Sequence, residues 1–180
     1  MTATIPATSS HTAPRHTSLE LGPLTRAAVG LVGAGLTAAC ALAIIRYAAG
    51  LSPDHPGAHL VAVAIHVAAV LPAVPLGAWL MLSRKGTPRH KFLGKIWVLL
   101  MVVTALSALF IRQANDGQFS PIHLFVPLTL HGAWQAVATI RRGDIAGHRK
   151  ALMGLYLGAL ALPGLFSFLP DRLMGTWLLG

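Results

Sequence analysis

Histidines inside long apolar runs are the residues of this sequence whose type and spacing could do chemistry. Besides His55 and His59, which are expected to lie at the membrane interface, five of the nine histidines lie within such runs or at their ends, namely His66, His90, His123, His131 and His148. Ionisable side chains inside a membrane are costly to bury, so each is a functional hypothesis by default. Imidazole is also a common axial ligand of haem iron. The sequence therefore directs attention to a cofactor held between membrane helices.

The spacing of these histidines predicts two pairs at different depths. Two histidines on facing helices at equal depth could hold a haem b axially between them. The pairs are His66 with His123 near the outer face, and His90 with His148 near the inner face. His131 could substitute for His123 in the outer pair. Two such haems would form an electron path across the membrane.

Other interpretations of the same histidines stay open. A neutral histidine can hydrogen-bond across helices and simply hold a bundle together. His90 and His148 stand among lysines and arginines, where binding to anionic lipid headgroups would explain them. A quinone, proton or small-solute role is a further alternative. No zinc-binding spacing, phosphate-binding glycine loop or serine nucleophile elbow is found, and no catalytic residue is identified.

The composition places these histidines in a membrane protein. Of the 180 residues, 54% are hydrophobic and only 11% are charged, whereas soluble domains carry about 25% charged residues. The net charge of +9 comes from basic residues in short loops, without the basic stripe and stacking aromatics of a nucleic-acid-binding protein. The single cysteine, Cys40, excludes an intrachain disulfide.

The apolar runs predict an all-α bundle of about five transmembrane helices. Each run is close to the roughly 20 residues that span a bilayer as a helix. The predicted spans are 24–45, 58–82, 92–111, 121–140 and 151–169, within a transmembrane domain of residues 24–172. We expect residues 1–23 to form a disordered cytoplasmic tail and residues 173–180 to form a short interfacial tail.

Loop charge predicts the orientation. Eleven of the fourteen Lys and Arg residues fall on one side of the predicted membrane, and only Arg46, Arg112 and Arg172 on the other. Short loops rich in Lys and Arg stay in the cytoplasm. We therefore expect a multi-pass protein of the cell inner (plasma) membrane with a cytoplasmic N-terminus.

Two basic loops indicate an internal repeat of two helices. Arg84-Lys85-Gly86 corresponds to Arg141-Arg142-Gly143 at an offset of 57 residues. The same offset places His66 on His123, and His90 one residue before His148. The second and third spans are thus expected to be arranged in the same way as the fourth and fifth spans.

Several motifs resemble the bacterial membrane proteins grouped as domain of unknown function 2306. The resemblance covers roughly residues 60–174, and its motifs are Ile65 to Ala69, Gly77, Pro88 to Val98, Phe119 to Leu124, Arg141 to Asp144, His148 to Lys150, Gly154 to Tyr156 and Phe168 to Arg172. It implies a multi-pass inner-membrane protein and no particular activity. A more remote similarity is to diheme transmembrane b-type cytochromes, which also place one histidine on each of four central helices.

These observations lead to three functional hypotheses. The first is a haem-b electron-transfer protein that passes electrons between a quinone or small reductant and an acceptor on the opposite face. The second is a cofactor-free accessory subunit of a larger membrane complex. The third is a small-solute or proton carrier that uses His66, His123 and His131.

Overall fold

The computed structural model describes residues 21–112 and 117–180, and these residues form helices, turns and loops without a strand. The prediction of an all-α membrane bundle is confirmed. The seven α-helices are α1 (Pro23–Ala48), α2 (Val61–Leu82), α3 (Pro88–Ala108), α4 (Phe125–Arg141), α5 (Ile145–Met153), α6 (Leu162–Phe166) and α7 (Leu173–Leu179). Apart from its last three residues, the predicted N-terminal tail lies outside the described residues, and α1 begins at Pro23.

Three of these helices, α1, α2 and α3, are long and apolar enough to cross a membrane as single helices. The fourth and fifth predicted spans correspond to composite helices. A 3-10 turn over Pro121–Leu124 leads directly into α4. A π-helix over Gly154–Ala161 joins α5 to α6 without a break, so that helical structure continues from Ile145 to Phe166.

The π-helix precedes a proline, which gives a physical reason for the change of register. Pro163 has no N–H to offer the carbonyl of Ala159, and its ring would crowd that carbonyl in an α-helix. A wider turn re-registers the backbone hydrogen bonds ahead of this residue. The fifth span therefore has a locally irregular backbone, which the apolar pattern of the sequence did not reveal.

The two helix hairpins predicted as a repeat share their turn geometry. Gly86 and Gly143, 57 residues apart, both have positive φ, at 79° and 76°. The next residues, Thr87 and Asp144, cap α3 and α5 by accepting hydrogen bonds from the backbone N–H three residues further on. Only a residue without a Cβ adopts positive φ at little cost, so the glycines allow each tight turn.

The centre of the bundle is packed around Trp97 and Tyr156, which are fully buried. The Trp97 indole N–H donates a hydrogen bond of 2.9 Å to the carbonyl of Ala73, and the Tyr156 hydroxyl donates one of 3.3 Å to the carbonyl of Val74. Both rings lie against Gly77, where a Cβ would come within 2.6 Å of each. Close helix packing here depends on the small size of Gly77.

The C-terminal segment 173–180, expected to be an interfacial tail, forms α7 and packs on α1. Trp177 is buried and stacks on Tyr47 with 4.2 Å between ring centroids. Arg46 donates hydrogen bonds of 3.2 Å and 2.9 Å to the carbonyls of Trp177 and Gly180. This segment is therefore anchored to the end of α1 that lies opposite the basic loops.

A histidine-lined cavity inside the bundle

A cavity of about 610 Å³ opens between the helices in the half of the bundle away from the basic loops. Cavities of roughly 300–1,000 Å³ that are mostly apolar, with a few polar groups, are typical of small-molecule sites. This cavity, called here the histidine cavity, fits that description. Its wall is largely aliphatic, and the polar residues that line it include His55, His66, Ser120, His123, Asp171 and Arg172.

His66 is held on α2 by two groups of α3. Its Nδ1 lies 3.0 Å from the carbonyl oxygen of Thr104 and 3.2 Å from Oγ of Ser107. A carbonyl can only accept, so Nδ1 carries the proton and donates it. The neutral ring then has a lone pair on Nε2. No described residue hydrogen-bonds this Nε2, and the imidazole lines the histidine cavity.

His123 lies in the 3-10 turn, where its Nδ1 has both a donor and an acceptor of Ser120 within hydrogen-bonding distance. The backbone N–H of Ser120 donates to Nδ1 of His123 at 3.0 Å, in a capping-box arrangement with histidine in the usual position of glutamate. Nδ1 of His123 also lies 3.1 Å from the carbonyl oxygen of Ser120, so the neutral ring can either accept from the Ser120 N–H, with its proton on Nε2, or donate from Nδ1 to this carbonyl. This Nε2 is buried and has no hydrogen-bond partner among the described residues.

With His123 in the tautomer that accepts from Ser120, the two rings bring different chemistry to one cavity. His66 then offers an acceptor at Nε2, and His123 offers a donor at Nε2. A buried donor without a partner costs about 1–3 kcal/mol. A ligand in the histidine cavity that both donates and accepts hydrogen bonds would satisfy both rings.

The fit of the two histidines to an axial haem pair depends on the tautomer of His123. Metal-ligating histidines usually donate their other ring N–H to a carbonyl or carboxylate, as His66 does to Thr104. His123 fits when its Nδ1–H donates to the Ser120 carbonyl, 3.1 Å away, and does not fit when its Nδ1 accepts from the Ser120 N–H and its Nε2 carries the proton. Within residues 21–112 and 117–180, no group of three or more His, Cys, Asp or Glu side chains could hold a metal ion.

The predicted inner pair also shares a cavity. His90 and His148 line a smaller space of about 40 Å³ at the basic-loop end, together with Lys85 and Arg149. His148 donates from Nδ1 to the carbonyl of Ala136 at 2.7 Å. Nδ1 of His90 is buried, and no described residue hydrogen-bonds it.

The structure does not bring His131 to either cavity. Its side chain is exposed on the outer surface of α4, beside Trp134, with 5.7 Å between ring centroids. Helical periodicity explains the difference, since eight residues separate His131 from His123 and Pro127 and the 3-10 turn intervene. His131 therefore does not substitute for His123 in this arrangement.

Sequence reasoning missed the residues that hydrogen-bond the two imidazoles. Thr104, Ser107 and Ser120 were not singled out, and His55 was not among the predicted site residues although it lines the histidine cavity. The Ser-x-x-His spacing of Ser120 and His123 at the start of a helical run is a capping signal that could have identified one of them. The contacts of His66 with α3 join residues 38 and 41 positions apart, and no local pattern indicates them.

The fold and the cavity together define a helical membrane protein with an internal, histidine-lined cavity. Residues 63–170 match the sequence model of a family described as "Predicted membrane protein (DUF2306)". The chain belongs to this family, which confirms the resemblance seen in its motifs. Comparison with curated proteins and with solved structures gave no match.

Proposed function

We propose that this membrane protein binds a lipid-soluble quinol in the histidine cavity. The observation that carries the proposal is that His66 and His123 line one largely apolar cavity, with Nδ1 of His66 at the Thr104 carbonyl and Nδ1 of His123 at the Ser120 N–H. The proposal takes His123 in the tautomer that accepts from this N–H, so that the two rings have opposite tautomers. A quinol combines an apolar ring and tail with hydroxyl groups that both donate and accept. One hydroxyl would donate to Nε2 of His66, and an oxygen would accept from Nε2–H of His123.

This arrangement favours the reduced form of the molecule over the oxidised form. A quinone has carbonyl oxygens that only accept, so it can pair with His123 and not with the lone pair of His66. A typical hydrogen bond contributes about 0.5–1.5 kcal/mol net, and 1.4 kcal/mol is tenfold in affinity. We therefore expect the quinol to bind roughly three to ten times more tightly than the matching quinone.

Asparagine variants separate the two roles without removing the contacts that hold each ring. Asparagine at position 66 can still donate to the Thr104 carbonyl, and at position 123 it can still accept from Ser120, but each lacks Nε2. Binding of a short-chain quinone analogue to the purified protein is measured in both redox states, under anaerobic conditions for the quinol.

We expect His66→Asn to weaken quinol binding and leave quinone binding unchanged, whereas His123→Asn weakens both. His131→Asn is the matched control, since His131 lies on the outer surface. Equal effects of His66→Asn on both redox states, or no binding by the parent protein, would contradict the proposal.

A second candidate, a haem-b electron-transfer protein, is favoured by one observation. The hydrogen bond from Nδ1 of His66 to a carbonyl leaves a lone pair on Nε2, which could serve as an axial ligand of haem iron. The bis-histidine form would also need His123 in the tautomer whose Nδ1–H donates to the Ser120 carbonyl, which leaves a lone pair on Nε2. Protein expressed with ample haem would show a Soret band, lost in His66→Ala, whereas colourless protein removes this candidate.

We propose further that the protein lies in the cell inner membrane with its N-terminus in the cytoplasm. The charge difference between the two sets of loops supports this orientation. Cysteines introduced as Asp54→Cys and Arg84→Cys in a Cys40→Ser background test it. An impermeant maleimide should label position 54 in intact spheroplasts and position 84 only after lysis, and the reverse pattern would overturn it.

A further inference from the structure

The outward side of α4 carries two polar side chains within the fourth span. The buried side of this helix consists of Val126, Thr129, Ala133, Ala136 and Thr139. His131 and Gln135 lie on the opposite, exposed side. No described residue hydrogen-bonds either side chain, and the described contact of His131 is with the ring of Trp134. We infer that this side of α4 is the interface between two copies of this chain, separate from the histidine cavity and independent of the quinol proposal.

The depth of these two residues makes them costly to leave in lipid. His131 is ten residues from Arg141, at the basic-loop end of the helix. The helical rise places it roughly 15 Å from that arginine, which is half of a hydrocarbon layer about 30 Å thick. Polar side chains at this depth usually face other protein groups or a water-filled cavity. Because His131 and Gln135 line neither of the two cavities described above, we expect a protein surface against this side of α4.

The spacing of the outward residues matches the seam between two parallel helices. This line of residues, called here the α4 seam, comprises Leu124, Leu128, His131, Gln135 and Ala138. Its steps alternate between four and three residues, which is the 3.5-residue repeat that keeps one side of a helix against a partner helix. Leu124 and Leu128 are 73% and 52% exposed. The α4 seam therefore offers both apolar contact area and hydrogen-bonding groups.

A second copy of the chain is the partner that these groups fit. Copies inserted in the same orientation present parallel α4 helices, and a two-fold axis along the membrane normal places each seam residue opposite its counterpart. The amide of Gln135 both donates and accepts, as does the neutral imidazole of His131, so each can pair with its own kind. The α4 seam contains no Lys, Arg, Asp or Glu, so two copies meet there without like-charge repulsion.

Disulfide cross-linking in native membranes tests this interface, in a Cys40→Ser background that leaves each variant with one cysteine. Leu128→Cys places the thiol on the α4 seam, and the control Leu42→Cys places it on α1, where Leu42 is 51% exposed. We expect oxidation to give a product of twice the chain mass from Leu128→Cys and not from Leu42→Cys. No product, a product of another mass, equal products from both variants, or a product that forms only after deletion of residues 2–20 would overturn the proposal.

Single-molecule photobleaching of labelled protein in liposomes then measures the dimer affinity over a series of dilutions. Gln135→Leu removes the amide, whereas Gln135→Asn keeps an amide at the seam. We expect Gln135→Leu to lower the dimerisation constant about three- to tenfold and Gln135→Asn to lower it less. Gln118→Leu makes the same change at an exposed loop residue off the seam and should leave the constant unchanged. A parent protein that is monomeric at every dilution, or equal effects of Gln135→Leu and Gln118→Leu, contradicts the assignment.

Discussion

The indole N–H of Trp97 donates to the carbonyl of Ala73 across the α2–α3 interface, at a distance of 2.9 Å. Ala73 lies between Pro72 and Pro75, the two prolines inside α2. The carbonyls that Pro72 and Pro75 leave without an i+4 N–H are those of Ala68 and Leu71, so the bond from Trp97 to Ala73 is an additional contact between the two helices. Trp97 thus ties α3 to the proline-containing part of α2, close to the histidine cavity.

Replacement of Trp97 by phenylalanine should destabilise the protein by about 1–3 kcal/mol, because the buried carbonyl of Ala73 loses a donor and the smaller ring leaves a gap. The free energy of unfolding in mixed micelles measures the effect. Trp134→Phe is the matched control, since Trp134 is 62% exposed. Equal stabilities of the two variants would show that the Trp97 hydrogen bond contributes nothing.

Gly77 is the position where the addition of a single methyl group should lower the stability of the protein most. A Cβ there would lie 2.6 Å from Nε1 of Trp97 and 2.6 Å from Cδ2 of Tyr156. Overpacking of this kind typically costs 1–3 kcal/mol, so we expect Gly77→Ala to lower the unfolding temperature. Gly94→Ala, on α3, adds a Cβ with nothing within 4 Å and should not lower it. A stable Gly77→Ala protein would contradict the packing described here.

Arg46 should control the order of the C-terminal helix. Its guanidinium is bonded to the carbonyls of Trp177 and Gly180, and hydrogen bonds to charged groups contribute about 1.5–3 kcal/mol. In Arg46→Ala we expect amide hydrogen exchange in residues 173–180 to become roughly tenfold faster. Arg112→Ala removes an arginine of the same face whose described contacts are with Leu109 and Phe119, and it should leave this segment unchanged.

A pH effect is expected in the loop between α1 and α2. The hydrogen bond from His59 lowers the pKa of the exposed Asp54 carboxyl below its ordinary value. A depressed pKa means that the pair stabilises the loop above the ordinary carboxyl pKa of about 3.9, and that this is lost as pH falls through the folded pKa. NMR titration of Asp54 should therefore give a higher pKa in His59→Ala than in the parent protein, and an unchanged pKa would contradict the pairing.

The membrane fold and the repeat could be predicted because their causes are local. Apolar runs of sufficient length specify spans, and the turn glycine with the following cap specifies where α3 and α5 begin, at Pro88 and Ile145. The sharing of one cavity by His66 and His123 followed from the repeat offset. The sequence motifs also identified the family, which the match over residues 63–170 confirms.

The tautomer of His66 and the outward position of His131 could not be predicted, because they depend on how the helices pack together. Thr104 contacts His66 only after α2 and α3 pack together. The π-helix before Pro163 rotates the fifth span relative to a regular helix, and α7 owes its position to Arg46. The pattern of apolar spans in the sequence contains no information on the π-helix or on the position of α7.

The opposite tautomers of His66 and His123 are the central claim, and ¹⁵N NMR of histidine-labelled protein measures them directly. With assignments from His66→Asn and His123→Asn, the neutral rings should show protonated Nδ1 for His66 and protonated Nε2 for His123. Addition of a quinol should shift the Nε2 signals of both rings, whereas the matching quinone should shift that of His123 alone. The same tautomer in both rings, or signals that a quinol leaves unchanged, would contradict the account.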